Sequence, residues 1–306
     1  MNVINADGPW NLQGRKVCAA IGVFDGVHLG HQRILQQVIK DARACDGAAA
    51  AVTFDRHPNE VVAPTRTPLL LYQYSKKMRV LESLGINVLR IIHFDRALSQ
   101  LSPEQFIGKL AVEAGELESI CVGEGFTFGC RRQGDVPLLR DLGAKMHFAV
   151  HAAPPVTLDG EAVSSTRVRQ AIASGDFGLA ARLLGRPYDL CAVVLRGAQL
   201  GRKLGFPTAN LATRGLVTPP TGVYAADARV DGIQRRAAVN IGFRPTVETK
   251  ESALVVEAHL LDFEGDLYGR ELELTFLRKL REEQKFPSLD ALREQVERDI
   301  AQARKL

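Results

Sequence analysis

Residues 22–32 read GVFDGVHLGHQ and separate the apolar run KVCAAI (16–21) from the segment RILQQVIKDARA (33–44). The apolar run is short and continuous, which is typical of a buried strand. In the segment that follows the turn, apolar residues recur at helical spacing. The order strand, glycine-rich turn, helix therefore decides the fold of this part of the chain. It also places two histidines, His28 and His31, at the turn.

The same order repeats along the first half of the chain. Patterns typical of strands occur at 16–24, 48–54, 86–94, 117–123 and 148–154, and patterns typical of helices occur at 31–47, 75–85, 102–115 and 136–147. Strict alternation predicts an α/β fold with a doubly wound parallel sheet covered by helices on both faces. Ligands of such sheets bind at the carboxyl ends of the strands. GVFDGVHLGHQ lies at such an end, as do TFDRHP (53–58) and VGEGFTFG (122–129).

The second half of the chain has a different pattern. Residues 164–188 predict two short helices, and short strand patterns follow at 191–197, 222–230, 234–242, 253–263 and 270–281. Closely spaced strands separated by turn residues predict a small antiparallel β-barrel. A terminal helix is expected after Ser288, a plausible N-cap residue. The sequence thus predicts two domains, at 1–184 and 185–306.

Composition narrows the class of protein. The chain has 306 residues, 46% of them hydrophobic and 24% charged, as in soluble globular proteins. A net charge of +4 is too small to indicate that the chain binds nucleic acid. It is compatible with the binding of phosphorylated small molecules. The five cysteines are scattered, which predicts a reduced, cytoplasmic chain without disulfides or zinc. No apolar run approaches the ~18 residues of a membrane span, so no contact with a membrane is expected. The oligomeric state that we expect is a monomer or a weak homo-oligomer.

The turn at 22–32 has the chemistry of an anion site. Backbone N–H groups and the positive end of the following helix meet there. Gly26 and Gly30 allow a phosphate to approach the backbone closely, and imidazoles add donors whose charge changes near neutral pH. Such a cluster suits a triphosphate that is attacked at its α-phosphorus. The alternatives are surface histidines or a metal site that includes His57.

A second segment, VSSTRVRQAI (163–172), offers three consecutive hydroxyl groups before a helix, with Arg167 and Arg169 in its first turn. Taken alone, it is also consistent with a capped helix that carries solvated arginines. Its combination with a distant H-x-G-H turn favours a phosphate site.

HLGH (28–31) and SSTRVR (164–169) together resemble the nucleotidylyltransferase superfamily, in which these two motifs hold ATP. With TFDRHP and VGEGFTFG, the resemblance narrows to the FMN adenylyltransferase module of bacterial FAD synthetases. Class I aminoacyl-tRNA synthetases share the H-x-G-H turn, but SKKMR (75–79) matches their K-M-S-K-S loop poorly.

The resemblance implies a role for each matching residue. His28 and His31 would stabilise the ATP phosphates while the FMN phosphate attacks the α-phosphorus and expels pyrophosphate. The implied ATP-binding residues are Gly22, Phe24, Asp25, Gly30, Ser165, Thr166 and Arg169. The implied flavin-binding residues are His57, Pro58, Phe126 and Phe128.

The segment GAQLGRKLGFPTANL (197–211) carries the chemistry of the second half. Glycine-rich loops with basic residues cradle phosphates, although G-x-x-x-x-G-K-[ST] is absent. Thr208 and Asn210 alternate on an extended segment and so face the same way. Two neutral oxygen ligands suit Mg²⁺ held jointly with substrate phosphates. A simple β-turn followed by a strand is the alternative.

The same segment contains GFPTAN (205–210) and resembles the riboflavin kinase module. Further matches are GVYAA (222–226), NIGFRPTV (240–247), VEAHLLDFEGDLYG (256–269) and LREEQKFPSLDALREQVERDI (280–300). The resemblance implies that Glu257 is the general base and that Thr208 and Asn210 bind Mg²⁺. The implied ATP-binding residues are Gly201, Lys203, Gly205 and Pro207.

The resemblance covers roughly residues 15–300 and implies a bifunctional riboflavin kinase/FMN adenylyltransferase that uses riboflavin, FMN and ATP and produces FAD. Three positions depart from the pattern. Gly125 stands where the family usually has Asp or Asn, and Arg56 stands where it often has Pro. Phe243 stands where the family usually has a small polar residue. One alternative is a chain in which only one of the two modules is catalytically active. The other is a protein that binds or senses flavin without catalytic activity.

Overall fold

The computed structural model of the chain describes residues 1–197, 201, 205–245 and 252–306. They form two compact units, Met1–Leu69 with Tyr74–Ser165 and Leu70–Gln73 with Thr166–Leu306. The segment Leu70–Gln73 belongs to the second unit because the Leu70 N–H donates to the Gly215 carbonyl at 2.8 Å. The sequence patterns did not predict that this short segment belongs to the second unit. The division into 1–184 and 185–306 stays a prediction.

The first unit is built around a parallel sheet. Its strands are β1 (Asn2–Ile4), β2 (Val17–Ile21), β3 (Ala48–Phe54), β4 (Val88–Ile92), β5 (Leu117–Gly123) and β6 (Ala149–Ala153). Within the described ranges these six strands pair in the order β1-β4-β3-β2-β5-β6, and each pairing is parallel. The order reverses direction between β2 and β5, which confirms the doubly wound sheet.

Helices connect these strands. They are α1 (Leu29–Ala44), α2 (Asn59–Val62), α3 (Tyr74–Ser83), α4 (Arg96–Ser99), α5 (Pro103–Ala114) and α6 (Val136–Met146). The helix α5 begins as its sequence predicts, with a capping box between Ser102 and Gln105. The short elements α2, α4 and β1 were not predicted, and neither were β7 (Thr157–Leu158) and β8 (Glu161–Ala162), which pair with each other.

The strand β2 shows why both faces of the sheet are covered. Val17, Ala19 and Ile21 lie in one hydrophobic core, whereas Cys18 and Ala20 lie in another. Successive side chains of a strand point to opposite faces. A continuous apolar run is therefore buried on both faces, as in other parallel sheets.

The second unit is a barrel. It begins with helices α7 (Ser165–Ala173) and α8 (Phe177–Leu184), followed by β9 (Asp189–Leu195), β10 (Ala209–Leu211), β11 (Gly222–Val230), β12 (Ile233–Pro245), β13 (Ser252–Leu260) and β14 (Glu271–Arg281). Among the described residues six strands close in the order β10-β13-β12-β11-β14-β9, and all pairings are antiparallel. The predicted antiparallel barrel is confirmed.

A terminal helix, α9 (Leu289–Arg304), follows the barrel strands. Ser288 caps it as predicted, because its side chain accepts a hydrogen bond from the Ala291 N–H at 3.1 Å. The guanidinium of Arg281 in β14 donates to the buried Asp299 carboxylate of α9 at 2.8–3.1 Å. This pair holds the terminal helix against the barrel. None of the helices described has both the length and the apolar character needed to cross a membrane.

Candidate functional site

The turn between β2 and α1 has a strained backbone. The strand ends at Ile21, before the end of the strand pattern at 16–24, since Phe24 and Val27 have φ values of 50° and 43°. These values lie in the left-handed region, which a β-branched residue such as Val27 rarely adopts. Backbone strain of this kind persists only where the surrounding structure enforces it, and it is frequent at functional sites.

His28 and His31 lie together at the start of α1. His28 is the N-cap residue, and its Nδ1 accepts a hydrogen bond from the His31 backbone N–H at 3.4 Å. A His28 ring that accepts at Nδ1 carries its ring proton on Nε2. The two rings stack with centroids 3.7 Å apart. The i, i+3 spacing thus produces one pair of imidazoles.

His31 is held in its neutral form. Burial, and then the charges of His28 and Lys77, lower its pKa well below the usual value. Its Nδ1 is buried and has no hydrogen-bond partner among the described residues, while Phe24 packs edge-on against the ring at 5.3 Å. The expectation that these imidazoles change charge near neutral pH therefore does not hold for His31. It can serve as a neutral donor.

Lys77 of α3 is a residue of the turn that sequence reasoning missed. Its ammonium donates to the Val23 carbonyl at 3.2 Å and to Thr53 Oγ1 at 3.3 Å. The Thr53 hydroxyl donates to the same carbonyl at 3.1 Å. Burial lowers the pKa of Lys77 to about 8, although Asp25 acts in the opposite direction. Lys77 thus fixes the first residues of the turn.

The lowered pKa gives a first prediction, on stability. Between the folded pKa of about 8 and the usual 10.5, the unfolded chain holds a proton that the folded chain has lost. The free energy of unfolding therefore gains a contribution that rises with pH across this window. We expect the stability of the wild-type chain relative to Lys77→Met to rise between pH 8 and pH 10 in urea unfolding experiments. A constant difference would contradict this environment for Lys77. Lys145→Met, a change to an exposed lysine, is the matched control.

The remaining residues predicted to bind ATP fall into two groups. Gly22, Asp25 and Gly30 lie at the turn, and Ser165 reaches it by donating from Oγ to the Asp25 carbonyl at 3.0 Å. The Phe24 side chain is fully buried in the core, so only its backbone is available to a nucleotide. A Cβ at Gly30 would lie 3.1 Å from the His28 ring. Thr166 and Arg169 lie on α7 in the second unit, and their role stays a prediction.

A cleft with a volume of about 890 Å³ opens at the carboxyl ends of the strands. The four residues predicted to bind flavin, His57, Pro58, Phe126 and Phe128, all line it, together with Gly22 of the turn. Phe126 and Phe128 stack with ring centroids 5.4 Å apart, and Phe54 and Phe94 form an edge-to-face pair at 5.2 Å. Aromatic walls of this kind suit a planar ring system.

The barrel has a cleft of its own, with a volume of about 270 Å³. Glu257 of β13 lines it and is only 9% exposed, as its apolar neighbours in the sequence suggest. In the strand register Glu257 lies between Asn210 of β10 and Asn240 of β12. Thr208 lines the same cleft. The barrel therefore places a carboxylate among neutral oxygen and amide groups.

The segment before β10 depends on glycine. A Cβ at Gly201 would clash with the Phe206 carbonyl oxygen and would lie 3.1 Å from Thr208 Oγ1. Gly205 has a φ of 90°, which favours glycine. His259, another residue that sequence reasoning missed, lies in the cleft and donates from Nδ1 to the Pro207 carbonyl at 2.8 Å. The predicted ATP-binding residue Lys203 lies outside the described residues.

Phe243 also lines the barrel cleft and is 57% exposed. The departure from a small polar residue thus places an aromatic side chain at the cleft. Residues of the C-terminal segment form another wall, among them Phe286, Leu292 and Val296. The pair formed by Arg281 and Asp299 positions this wall.

Comparison with known proteins assigns a family to each half of the chain. The model of the FAD synthetase family matches residues 11–167, and the model of the riboflavin kinase family matches residues 184–306. Several curated relatives are named bifunctional riboflavin kinase/FMN adenylyltransferase. The protein from Pseudomonas fluorescens is 41% identical over 95% of this chain and 93% of the relative. The protein from Escherichia coli K12 is 38% identical over 93% and 90%.

A solved structure matches the whole chain as well. It is that of a protein named macrolide-efflux protein, from Streptococcus pneumoniae, with a TM-score of 0.82, 26% identity and complete coverage of both chains. That name concerns efflux, whereas both family models and the curated relatives at higher identity concern flavins. Identity near 40% over nearly the full length of both proteins decides between them. The chain belongs to the bifunctional riboflavin kinase/FMN adenylyltransferase family.

Proposed function

We propose that the barrel unit transfers the γ-phosphoryl group of ATP to riboflavin and gives FMN. The parallel-sheet unit then transfers the AMP part of a second ATP to FMN, which gives FAD and pyrophosphate. One observation carries this proposal: in each unit, motif residues that are distant in the sequence come together. Thr208 and Glu257 share the barrel cleft, and Gly22, His57 and Phe126 share the cleft of the sheet unit.

In the barrel, the chemistry needs a proton acceptor. The 5′-hydroxyl of riboflavin is a poor nucleophile, so its proton must pass to a base as the phosphoryl group moves. Glu257 is a carboxylate in the cleft and is our candidate for that base. Gly201, Lys203, Gly205 and Pro207 are the proposed ATP-binding residues.

The barrel also offers ligands for Mg²⁺. Thr208 and Asn210 carry neutral side-chain oxygens, and Asn210 pairs with Glu257 in the strand register. Hard oxygen donors of this kind are the ligands that Mg²⁺ prefers. We propose that Thr208 and Asn210 hold Mg²⁺ together with ATP, and a bound ion would supply positive charge beside the transferred phosphate.

In the sheet unit, the nucleophile is a phosphate oxygen that already carries negative charge, so no general base is required. The residues must instead position two anions and stabilise the charge that develops at the α-phosphorus. The Nε2 proton of His28 and the neutral imidazole of His31 are the proposed donors. Ser165, Thr166 and Arg169 are proposed to hold the β- and γ-phosphates.

The test is to incubate the purified chain with riboflavin, ATP and Mg²⁺ and to separate the flavins by chromatography. FAD is expected, and its absence when EDTA replaces Mg²⁺ would support the proposed metal requirement. If FMN is the final product, the chain has the kinase activity and lacks the adenylyltransferase activity. Unchanged riboflavin would show that neither proposed activity is present.

Gly125 gives a second prediction. This residue is exposed, and a Cβ built on it meets no other heavy atom within 4 Å, so a side chain fits there without strain. It precedes Phe126 of the cleft, where the family usually carries Asp or Asn. We expect Gly125→Asn to lower the KM for FMN in the adenylylation assay and to leave the KM for ATP unchanged. An unchanged KM for FMN would show that the flavin is held without a polar contact at this position.

A further inference from the structure

The cleft of the sheet unit carries an uncompensated positive charge. Arg96, Arg131 and Arg132 line it, and no described residue that lines it has a carboxylate. Within the described part of the chain, none of the three guanidinium groups has an ion pair or a hydrogen bond. Arginine stays charged at all physiological pH values. A cleft with this lining attracts an anion.

The loop that presents two of these arginines is closely fixed. Phe128 and Gly134 close it with two backbone hydrogen bonds, 3.0 Å and 2.9 Å long. A Cβ at Gly134 would lie 2.8 Å from the Phe128 ring, so only glycine fits beneath this aromatic wall of the cleft. The Cys130 N–H donates to the Leu101 carbonyl at 2.7 Å. The loop is thus anchored at its base and at its tip.

The arginines themselves have an unfavourable backbone conformation. Arg131 and Arg132 have φ values of 53° and 59°, and consecutive residues other than glycine rarely adopt the left-handed region. Strain enforced at a cleft points to a functional requirement for these two side chains. Packing does not explain it, because both residues are exposed.

The proposed reaction explains what the anion is. The FMN phosphate carries between one and two negative charges at neutral pH, like other phosphate monoesters, and it must approach the phosphates of ATP. The cleft includes Gly22 and Val23, the first residues of the turn that we assign to ATP. His31 is neutral there. The Lys77 ammonium is buried at the turn and already donates to the Val23 carbonyl and to Thr53 Oγ1. The fixed cations among the described residues that line the cleft are therefore the arginines.

We propose that Arg131 and Arg132, assisted by Arg96, bind the phosphate of FMN and make the adenylyltransferase select the phosphorylated flavin over riboflavin. This inference rests on the proposed function of the sheet unit. The aromatic walls hold the ring system, which FMN and riboflavin share, and so cannot discriminate between them. The arginines bind the 5′-phosphate, which is the one group that FMN has and riboflavin lacks.

The test compares Arg131→Gln, Arg132→Gln and the double variant with the wild-type chain in the formation of FAD from FMN and ATP. A charge-assisted contact contributes enough that each single change should raise the KM for FMN by about tenfold. Arg131→Lys and Arg132→Lys should recover part of this loss. Arg140→Gln, a change to an exposed arginine of α6 outside the cleft, should have no effect.

Two further readouts separate phosphate binding from a structural role. Lumiflavin has the flavin ring but no ribityl chain, so the kinase cannot phosphorylate it, and its inhibition constant against FMN should be unchanged in the variants. The wild-type KM for FMN should also rise with ionic strength more steeply than that of the double variant. A parallel rise in the lumiflavin constant, or a rise in the KM for ATP alone, would overturn the proposal. If the wild-type chain makes no FAD, the proposed function fails instead.

Discussion

Glu257→Gln is expected to lower the turnover of riboflavin phosphorylation by about 10²–10⁴-fold, the contribution of a general base. Glutamine keeps the shape and the hydrogen-bonding capacity of the side chain but cannot accept the proton of the 5′-hydroxyl. Riboflavin and ATP should still bind, because the substitution removes no volume from the cleft. The measurement is the initial rate of FMN formation from riboflavin and ATP.

The same variant tests whether the two activities are separate. Each of the two clefts is lined by residues of one compact unit, and the sheet unit has its own hydrophobic cores. When FMN is supplied directly, Glu257→Gln should therefore make FAD at the wild-type rate. Glu294→Gln, a change on the exposed face of α9, is the matched control and should leave both rates unchanged. Loss of adenylylation in folded Glu257→Gln protein would contradict the assignment of one activity to each unit.

The fold was predictable because its signals are local. The run VCAAI at Val17–Ile21 is apolar at every position. This pattern is typical of a strand in a parallel sheet, because both faces of the strand are buried. Arg90 shows the limit of this reasoning, since it lies fully buried in β4 and pairs with Glu113 at 3.0 Å and Asp7 at 2.9 Å. The partners of a buried charge are set by tertiary packing, which no periodicity reports.

The candidate sites were predictable where they coincide with motifs. Glu257, His28 and His31 were assigned from the family resemblance, and their catalytic roles stay predictions. The aromatic cleft gathers the four predicted flavin-binding residues. Lys77 and His259 could not be found, because both act through backbone carbonyls of other segments. The arginines of the cleft gave no signal, since arginines in a loop are usually solvated. The cytoplasmic location and the oligomeric state stay predictions from the sequence.

His31→Ala is expected to lower the turnover of FMN adenylylation by about 10²–10³-fold, as the removal of one preorganised donor at a developing charge does. The KM for ATP should change little, because the donor acts mainly on the pentavalent phosphorus. From riboflavin, the variant should accumulate FMN and make little FAD, and His28→Ala should do the same. His31→Gln fills more of the space beside Phe24 and guards against loss of folding. A wild-type rate in folded His31→Ala would remove the role assigned to this residue.

The protonation state of His31 makes the prediction sharper. Because burial keeps its pKa well below the usual value, the ring is neutral from the usual histidine pKa of about 6.5 up to about pH 8. The ratio of the wild-type rate to the His31→Ala rate should therefore be constant across this range. If His31 acted as an imidazolium, the ratio would fall as the pH rises and the proton is lost. His151→Ala, a change to a histidine of β6 that pairs with Asp41 at 3.3 Å outside the turn, is the control, and its rate should follow that of the wild-type chain at every pH.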